Sequence, residues 1–215
     1  EAELDSILKA IAENMRNDLA GRAGTRDMTA MFSAEPVNDP FKPNKAEADS
    51  YREQLSQALK SLKTSVKPII LGKTPAVLKE VGMPELDISI SRDTVRKATN
   101  GVKHDVPMSV VEQLPELISD PAAVFASKTE DNSFVVLVEE KDDSGRPVIV
   151  ALHANKREQQ ILVNRVASIH GRPEQQINGW VSEGFVRYVK NKNPSGSTQG
   201  LQLPQGSSPA RVCTA

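Results

Sequence analysis

Residues 134–153 read FVVLVEEKDDSGRPVIVALH, two runs of β-branched and aliphatic residues on either side of a polar turn. The runs at 134–139 and 147–153 have the composition of buried strands. Between them, the sequence Asp142-Asp143-Ser144-Gly145 is typical of a tight reversal of the chain. The stretch therefore predicts a β-hairpin, and we expect this hairpin to form the centre of the folded domain.

Short strands and short helices alternate on both sides of the hairpin. Further strands are predicted at 67–71, 161–169 and 185–189, and a short extended run at 87–90. Helices are predicted from a Thr74 cap to Val81, from Ser91, over 110–118 with an interruption or kink at Pro115, and over 173–183. The pattern predicts an α+β fold, with a twisted antiparallel sheet of about four to five strands and N-terminal helices packed on it.

The first third of the chain has a different character. Apolar residues recur at helical spacing between Leu4 and Leu19, a proline-containing linker covers 33–44, and a second helix is predicted over 46–63. We therefore divide the chain into a helical docking or delivery arm with its linker at 1–65, an α+β domain at 66–205 and a disordered tail at 206–215.

The overall charge argues against a protein that coats nucleic acid. There are 27 basic and 28 acidic residues, for a net charge of −1, so any contact with RNA or DNA must be local. The best basic region is 156–192, where basic residues outnumber acidic ones. Cys213 is the single cysteine, which excludes an intrachain disulfide, and no run is long and apolar enough for a membrane span. The chain starts at Glu1 without an initiator Met, so we expect a processed product or a fragment.

The three histidines, His104, His153 and His170, have no HExxH or paired His/carboxylate spacing. We therefore expect no metal and no cofactor, and any chemistry should rest on general acid–base groups and cationic phosphate binders. His153, at the end of an apolar strand, is interpreted as structural.

A series of short motifs from Thr74 onward resembles one known family. The motifs are Thr74-Pro75-Ala76-Val77-Leu78 with Gly82, Lys103-His104, Leu114-Pro115-Glu116-Leu117-Ile118 with Asp120-Pro121, Asn164-Arg165-Val166-Ala167-Ser168-Ile169, a Trp180 helix, Arg187-Tyr188-Val189-Lys190-Asn191-Lys192 and Leu201-Gln202-Leu203-Pro204. Over about 73–205 the chain resembles the C-terminal domains of phage MuF-like polyvalent proteins, which are assigned to the superfamily of barnase, EndoU, colicin and RelE-like RNases.

The resemblance implies a metal-independent endoribonuclease of the toxin or effector type. It implies RNA, with tRNA among the candidates, as the substrate, an immunity protein as a partner, and action in the bacterial cytoplasm after delivery by phage or secretion as part of a larger protein. The sequence departs from the family pattern at His170, where we expect a tyrosine. His170 therefore either replaces a tyrosine that only packs or binds, or joins the proton transfers.

Metal-free cleavage of RNA requires one proton acceptor, one proton donor and stabilisation of a doubly charged phosphorane. His104 is the first candidate for acid or base, because imidazole titrates near neutrality. Ser168 and His170 are two residues apart in a predicted strand and should face the same side. Tyr188 either orients or protonates the phosphate, or packs as a strand aromatic. The expected substrate-binding residues are Lys103, Asn164, Arg165, Trp180 and Lys190, and a core position is the alternative for Trp180.

Two other functions remain open at this point. The first is a domain that only binds, as a component of phage head morphogenesis or DNA packaging with a capsid or portal protein as its partner. The second is ADP-ribosylation, which the sequence disfavours because neither the Ser168 nor the Tyr188 segment offers a convincing catalytic glutamate.

Overall fold

The structure is a computed structural model that describes residues 44–62, 67–102, 104–158, 160–192 and 198–200. The predicted helix at 4–19 and the predicted tail at 206–215 lie outside the described residues. In chain order the elements are α1 (Lys45–Lys60), β1 (Ile69–Lys73), α2 (Ala76–Glu80), β2 (Asp87–Ile90), α3 (Arg92–Thr99), α4 (Met108–Glu112), α5 (Leu114–Ser119), β3 (Ala123–Ala126), β4 (Ser133–Lys141), β5 (Pro147–Glu158), β6 (Ile161–Gly171), α6 (Glu174–Ser182), β7 (Val186–Lys192) and β8 (Thr198–Gly200).

Seven strands form an open sheet in the order β1-β2-β6-β5-β4-β3-β7, and the short β8 extends it beside β7. The α+β class is confirmed, but the expected four to five strands were too few. Strand β3 was not predicted, because two of its four residues are alanines, which carry little strand preference. The sheet is also not wholly antiparallel, because β2 runs parallel to β6.

One face of the sheet, here called the helical face, is covered by α1 to α5. The core on this face joins residues of all five helices to the sheet, and α1 contributes Tyr51, Leu55 and Ala58. The Tyr51 hydroxyl donates a hydrogen bond of 2.7 Å to the Val111 carbonyl and is wholly buried. This helix was predicted to belong to an arm at 1–65, but its apolar side chains lie within the domain core.

The other face, here called the α6 face, is apolar only in part. Ile177 and Trp180 of α6 pack there against residues of β3, β4, β5 and β7, including Phe125 and Ile149. A Phe125–Trp180 ring contact, with centroids 5.5 Å apart at 58°, holds the helix down. Toward β6 the same face carries polar side chains that are only half-buried.

A β-bulge in β6 decides which of its side chains reach the α6 face. Ser168 pairs with Ala151, but Leu152 pairs with Val166, so Ala167 is an extra residue. Val166 and Ile169 therefore both pack in the core of the helical face. Ser168 and His170, which pairs with Ile149, lie on the α6 face, as their spacing predicted.

One local prediction needs correction. The N-cap of α2 is Pro75, not Thr74. The Thr74 hydroxyl instead reaches the carbonyls of Pro84 and Leu86, at 3.0 and 2.8 Å, and so joins the end of β1 to the loop before β2. The predicted 110–118 helix is interrupted rather than kinked: it is two helices, which divide at Gln113 because Pro115 has no N–H to continue the first one.

Candidate functional site

Two of the predicted catalytic residues, His104 and His170, are in contact. Their rings stack with centroids 4.9 Å apart and an interplanar angle of 24°. His104 lies in the segment between α3 and α4, which is closed by a hydrogen bond of 2.9 Å from the Gly101 N–H to the His104 carbonyl. His170 is near the end of β6. The segment before α4 and the C-terminal end of β6 thus bring together two imidazoles that are 66 positions apart in the chain.

Asp105 attaches the His104 segment to the turn between β4 and β5. Its backbone carbonyl accepts from the Asp143 N–H at 3.0 Å, and its carboxylate accepts from the Ser144 hydroxyl and from Arg146 at 2.9 Å. The hydrogen bond from Ser144 and the charge of Arg146 hold the pKa of Asp105 below its usual value. The hairpin that the sequence identifies therefore also positions His104.

The turn itself is held by the carboxylate of Asp142, which is 5% exposed. It accepts from the backbone N–H groups of Ser144 and Arg146, at 3.1 and 2.8 Å, and from the Arg146 side chain at 2.8 Å. Gly171 passes so close that a Cβ there would lie 1.8 Å from the Asp142 carboxylate. Only glycine fits this approach, directly after His170.

Positive charge surrounds His170. Burial, followed by the charges of Arg172, His104 and Arg146, lowers the pKa of His170 to about 4. Its imidazole is therefore neutral at pH 7 and able to accept a proton. The guanidinium of Arg172 is held by a 2.9 Å hydrogen bond to Gln176 and lies 6.0 Å from the centre of the Trp180 ring.

A second polar group lies farther along the α6 face. Arg165 of β6 pairs with His153 of β5, whose Nδ1 is 3.1 Å from a Glu130 carboxylate oxygen. Glu130 also binds Lys156. Burial lowers the pKa of His153 despite the opposing charge of Glu130. The structural role of His153 stays a prediction. Ser168 lies on the same face between this group and His170.

The other predicted site residues lie elsewhere. Tyr188 is 3% exposed in the core of the helical face, where burial, with Asp120 and Glu80, raises its pKa to about 12. Four strand spacings, about 19 Å, separate β7 from β6. Lys190 is ion-paired with Asp120 at 2.6 Å and with Glu139 at 3.4 Å; burial disfavours its charge, but these carboxylates outweigh burial and raise its pKa.

Asn164 is wholly buried and structural in its contacts. Its amide nitrogen donates to the Thr74 hydroxyl and the Pro84 carbonyl, both at 2.8 Å. Trp180 is half-buried against Phe125, the core position given above as its alternative. Lys103 lies outside the described residues.

Sequence reasoning missed Arg172, Arg146 and Asp105. Arg172 follows Ser168 and His170 at the same two-residue spacing, so the strand period could have identified it. Within the described ranges, no group of three or more His, Cys, Asp or Glu side chains is placed to hold a metal ion. No helix in the described part is long and apolar enough to cross a membrane.

The geometry defines an α+β domain with a paired-histidine, arginine-flanked site at the C-terminal end of β6, an interior strand of the sheet. Residues 95–195, which include this site, match the family model of the phage MuF C-terminal domain. Over these residues the chain is similar to that domain. Searches of curated proteins and of solved structures returned no significant match.

Proposed function

We propose that this protein is a metal-independent endoribonuclease whose proton-transfer groups are His104 and His170. The observation that carries the proposal is the contact between the two imidazoles, with centroids 4.9 Å apart, beside the Arg172 guanidinium. Two imidazoles supply an acceptor and a donor, and a guanidinium supplies charge for a phosphorane, which together meet the needs of cleavage through the 2′-hydroxyl.

The two histidines take different roles in this mechanism. His170 is neutral at pH 7 because of its lowered pKa, so it removes the proton from the attacking 2′-hydroxyl. His104, the second imidazole of the stacked pair, protonates the departing 5′-oxygen. A phosphate bound beside Arg172 brings negative charge to His170 and raises its pKa, which makes it a stronger base once substrate is present.

Arg172 is the group best placed to stabilise the phosphorane. Its guanidinium is oriented by Gln176 and by the Trp180 ring, and no carboxylate among the described residues forms an ion pair with it. Ser168, on the same face as His170, is close enough along the strand to bind the same nucleotide. Tyr188 and Lys190 have no role in this mechanism because they lie about four strand spacings away.

A cleavage assay tests the proposal. The chain is incubated with total tRNA and with ribosomes in EDTA, alongside His104→Asn, His170→Asn and the matched control His153→Asn. Loss of either proposed proton-transfer group should lower the rate by about 10² to 10⁴, whereas His153→Asn should cleave at a rate close to that of the unmutated chain. Circular dichroism confirms that each variant is folded.

Two results would refute the proposal. One is the absence of cleavage by the unmutated chain on every RNA, and the other is cleavage that requires magnesium. Growth arrest on expression, relieved by His104→Asn, would support the toxin function, with tRNA as a first target and an immunity protein as the expected antidote. Action in the bacterial cytoplasm follows from that function.

A second candidate is a non-catalytic role in phage head morphogenesis or DNA packaging. The match of residues 95–195 to a phage MuF C-terminal domain fits this role as well as it fits the first proposal. In that case capsid or portal proteins should copurify with the chain equally well before and after His104→Asn. The RNase proposal makes no such demand on the capsid.

A further inference from the structure

Buried polar atoms without partners are concentrated on one short segment. Among the described residues, buried side-chain N and O atoms that lack a hydrogen-bond partner include Oε2 of Glu116, Nε of Arg165, Nδ1 of His170 and Nε of Arg172. Three of these four lie between positions 165 and 172. Because buried polar groups are nearly always hydrogen-bonded, these three atoms give the segment an unused capacity for hydrogen bonding.

The chemistry of these atoms identifies the kind of ligand. Arg165 and Arg172 can only donate, so their missing partners are acceptors, and a cationic donor favours an anionic one. Neither residue forms an ion pair with a carboxylate within the described residues, unlike Arg146, which is paired with Asp105 and Asp142. Glu130 acts on Arg165 only through its charge. Both guanidiniums therefore retain the capacity to bind a phosphate.

The two arginines lie on the same face and in line. With Ala167 as the bulge, Arg165, Ser168, His170 and Arg172 all project to the α6 face. The distance from Arg165 to Arg172 along β6 is about 20 Å. A single nucleotide cannot reach both guanidiniums, whereas an extended strand of several nucleotides can.

We propose that Arg165 and Arg172 each bind a phosphate of one single-stranded RNA, which lies along β6 with its scissile phosphate beside His170 and Arg172. This inference rests on the proposed function and adds a substrate class, an oligonucleotide of several residues. Arg165 is then a distant phosphate contact that affects affinity for long substrates and leaves the chemical step alone. The fork of donors on each guanidinium suits two-point binding to a phosphate.

Binding of 2′-O-methyl oligonucleotides separates this inference from catalysis, because the blocked 2′-oxygen cannot attack. Affinity is measured by fluorescence anisotropy for a dinucleotide and a hexanucleotide with the unmutated chain, Arg165→Gln and Arg172→Gln. Arg187→Gln is the matched control, since Arg187 is exposed on β7, four strands away from β6 in the sheet. Arg165→Lys retains the charge and serves as a second variant should Arg165→Gln fold poorly.

Arg165→Gln should weaken binding of the hexanucleotide about tenfold and leave binding of the dinucleotide unchanged. Arg172→Gln should weaken both, and Arg187→Gln neither. The slope of log affinity against log salt should fall by about 0.7 for each lost phosphate contact on a single strand. Arg165→Lys should lie between the unmutated chain and Arg165→Gln, since it retains the charge without the fork.

Equal effects of Arg165→Gln and Arg187→Gln on the hexanucleotide would overturn the inference, as would an equal effect of Arg165→Gln on the two lengths. Displacement of the hexanucleotide by polyglutamate at equal concentration would overturn it in favour of an acidic polypeptide ligand. Arg165-dependent binding without any cleavage of unmodified RNA supports the inference and refutes the RNase function. Cleavage of long RNA at a rate that Arg165→Gln does not change supports the RNase function and refutes the inference about Arg165.

Discussion

Removal of the His170 imidazole should make the protein less sensitive to acid. The pKa of this histidine is about 4 in the folded chain, against 6.5 for an unperturbed imidazole, chiefly because the ring is buried and then because Arg172, His104 and Arg146 surround it. Between these two pH values the unfolded chain binds more protons than the folded one, so the free energy of unfolding rises with pH across this window. The loss of stability that His170 causes is complete below pH 4 and absent above pH 6.5.

The size of the effect follows from the same shift. If the imidazole were wholly enclosed, this shift in pKa would lower the free energy of unfolding of the protein by about 3 kcal/mol between pH 6.5 and pH 4. The ring of His170 is only half-buried, so water screens the interaction, and we expect about 1 to 2 kcal/mol.

Urea unfolding at a series of pH values measures this loss in the unmutated chain and in His170→Asn. Their difference isolates His170, because His153, whose pKa is also lowered, remains in both proteins. A ¹H–¹⁵N NMR titration of the imidazoles gives the pKa directly. The same acid loss in both proteins, or a His170 pKa near 6.5, would refute the description of the site as buried and cationic.

Three further changes test the surroundings of the site and the core by urea unfolding at neutral pH. Tyr51→Phe removes the hydrogen bond to the buried Val111 carbonyl and should cost about 1 kcal/mol; no loss would show that α1 is not held as described. Gly171→Ala places a methyl group 1.8 Å from the Asp142 carboxylate and should cost at least about 2 kcal/mol. Gly179→Ala is the control in α6, where a Cβ meets nothing within 4 Å, and should stabilise the protein by about 0.5 to 1 kcal/mol.

Local sequence patterns were sufficient for most of the single elements. The hairpin, β6 and α6 follow from residue type, spacing and turn chemistry, which act over a few residues. The parallel pairing of β2 with β6 could not be predicted in this way. It joins segments more than 70 positions apart, and neither segment carries a mark of its partner.

In the candidate site, too, the single residues could be predicted from local sequence, but the contacts between distant segments could not. His104 and His170 were both singled out, yet the contact between them depends on Asp105, Ser144 and Arg146, which fold the hairpin turn against the segment after α3. Tyr188 had two open interpretations. A strand in which Tyr188 follows the polar Arg187 is expected both for a core aromatic and for a site residue, so the pattern does not separate the two. Only the position of β7 in the sheet places it in the core.

The bulge at Ala167 connects the fold to the site. In a regular strand Val166, Ser168 and His170 would share one face, so burial of Val166 would bury His170 among the helices as well. One extra residue at Ala167 breaks that alternation, and Val166 and Ile169 both reach the core of the helical face while Ser168, His170 and Arg172 project to the α6 face. Because of this bulge, the same strand can bury apolar side chains in the core and expose polar side chains to a substrate. Deletion of Ala167 should therefore turn either the core residues or the site residues to the wrong face, which no single side-chain substitution in β6 would do.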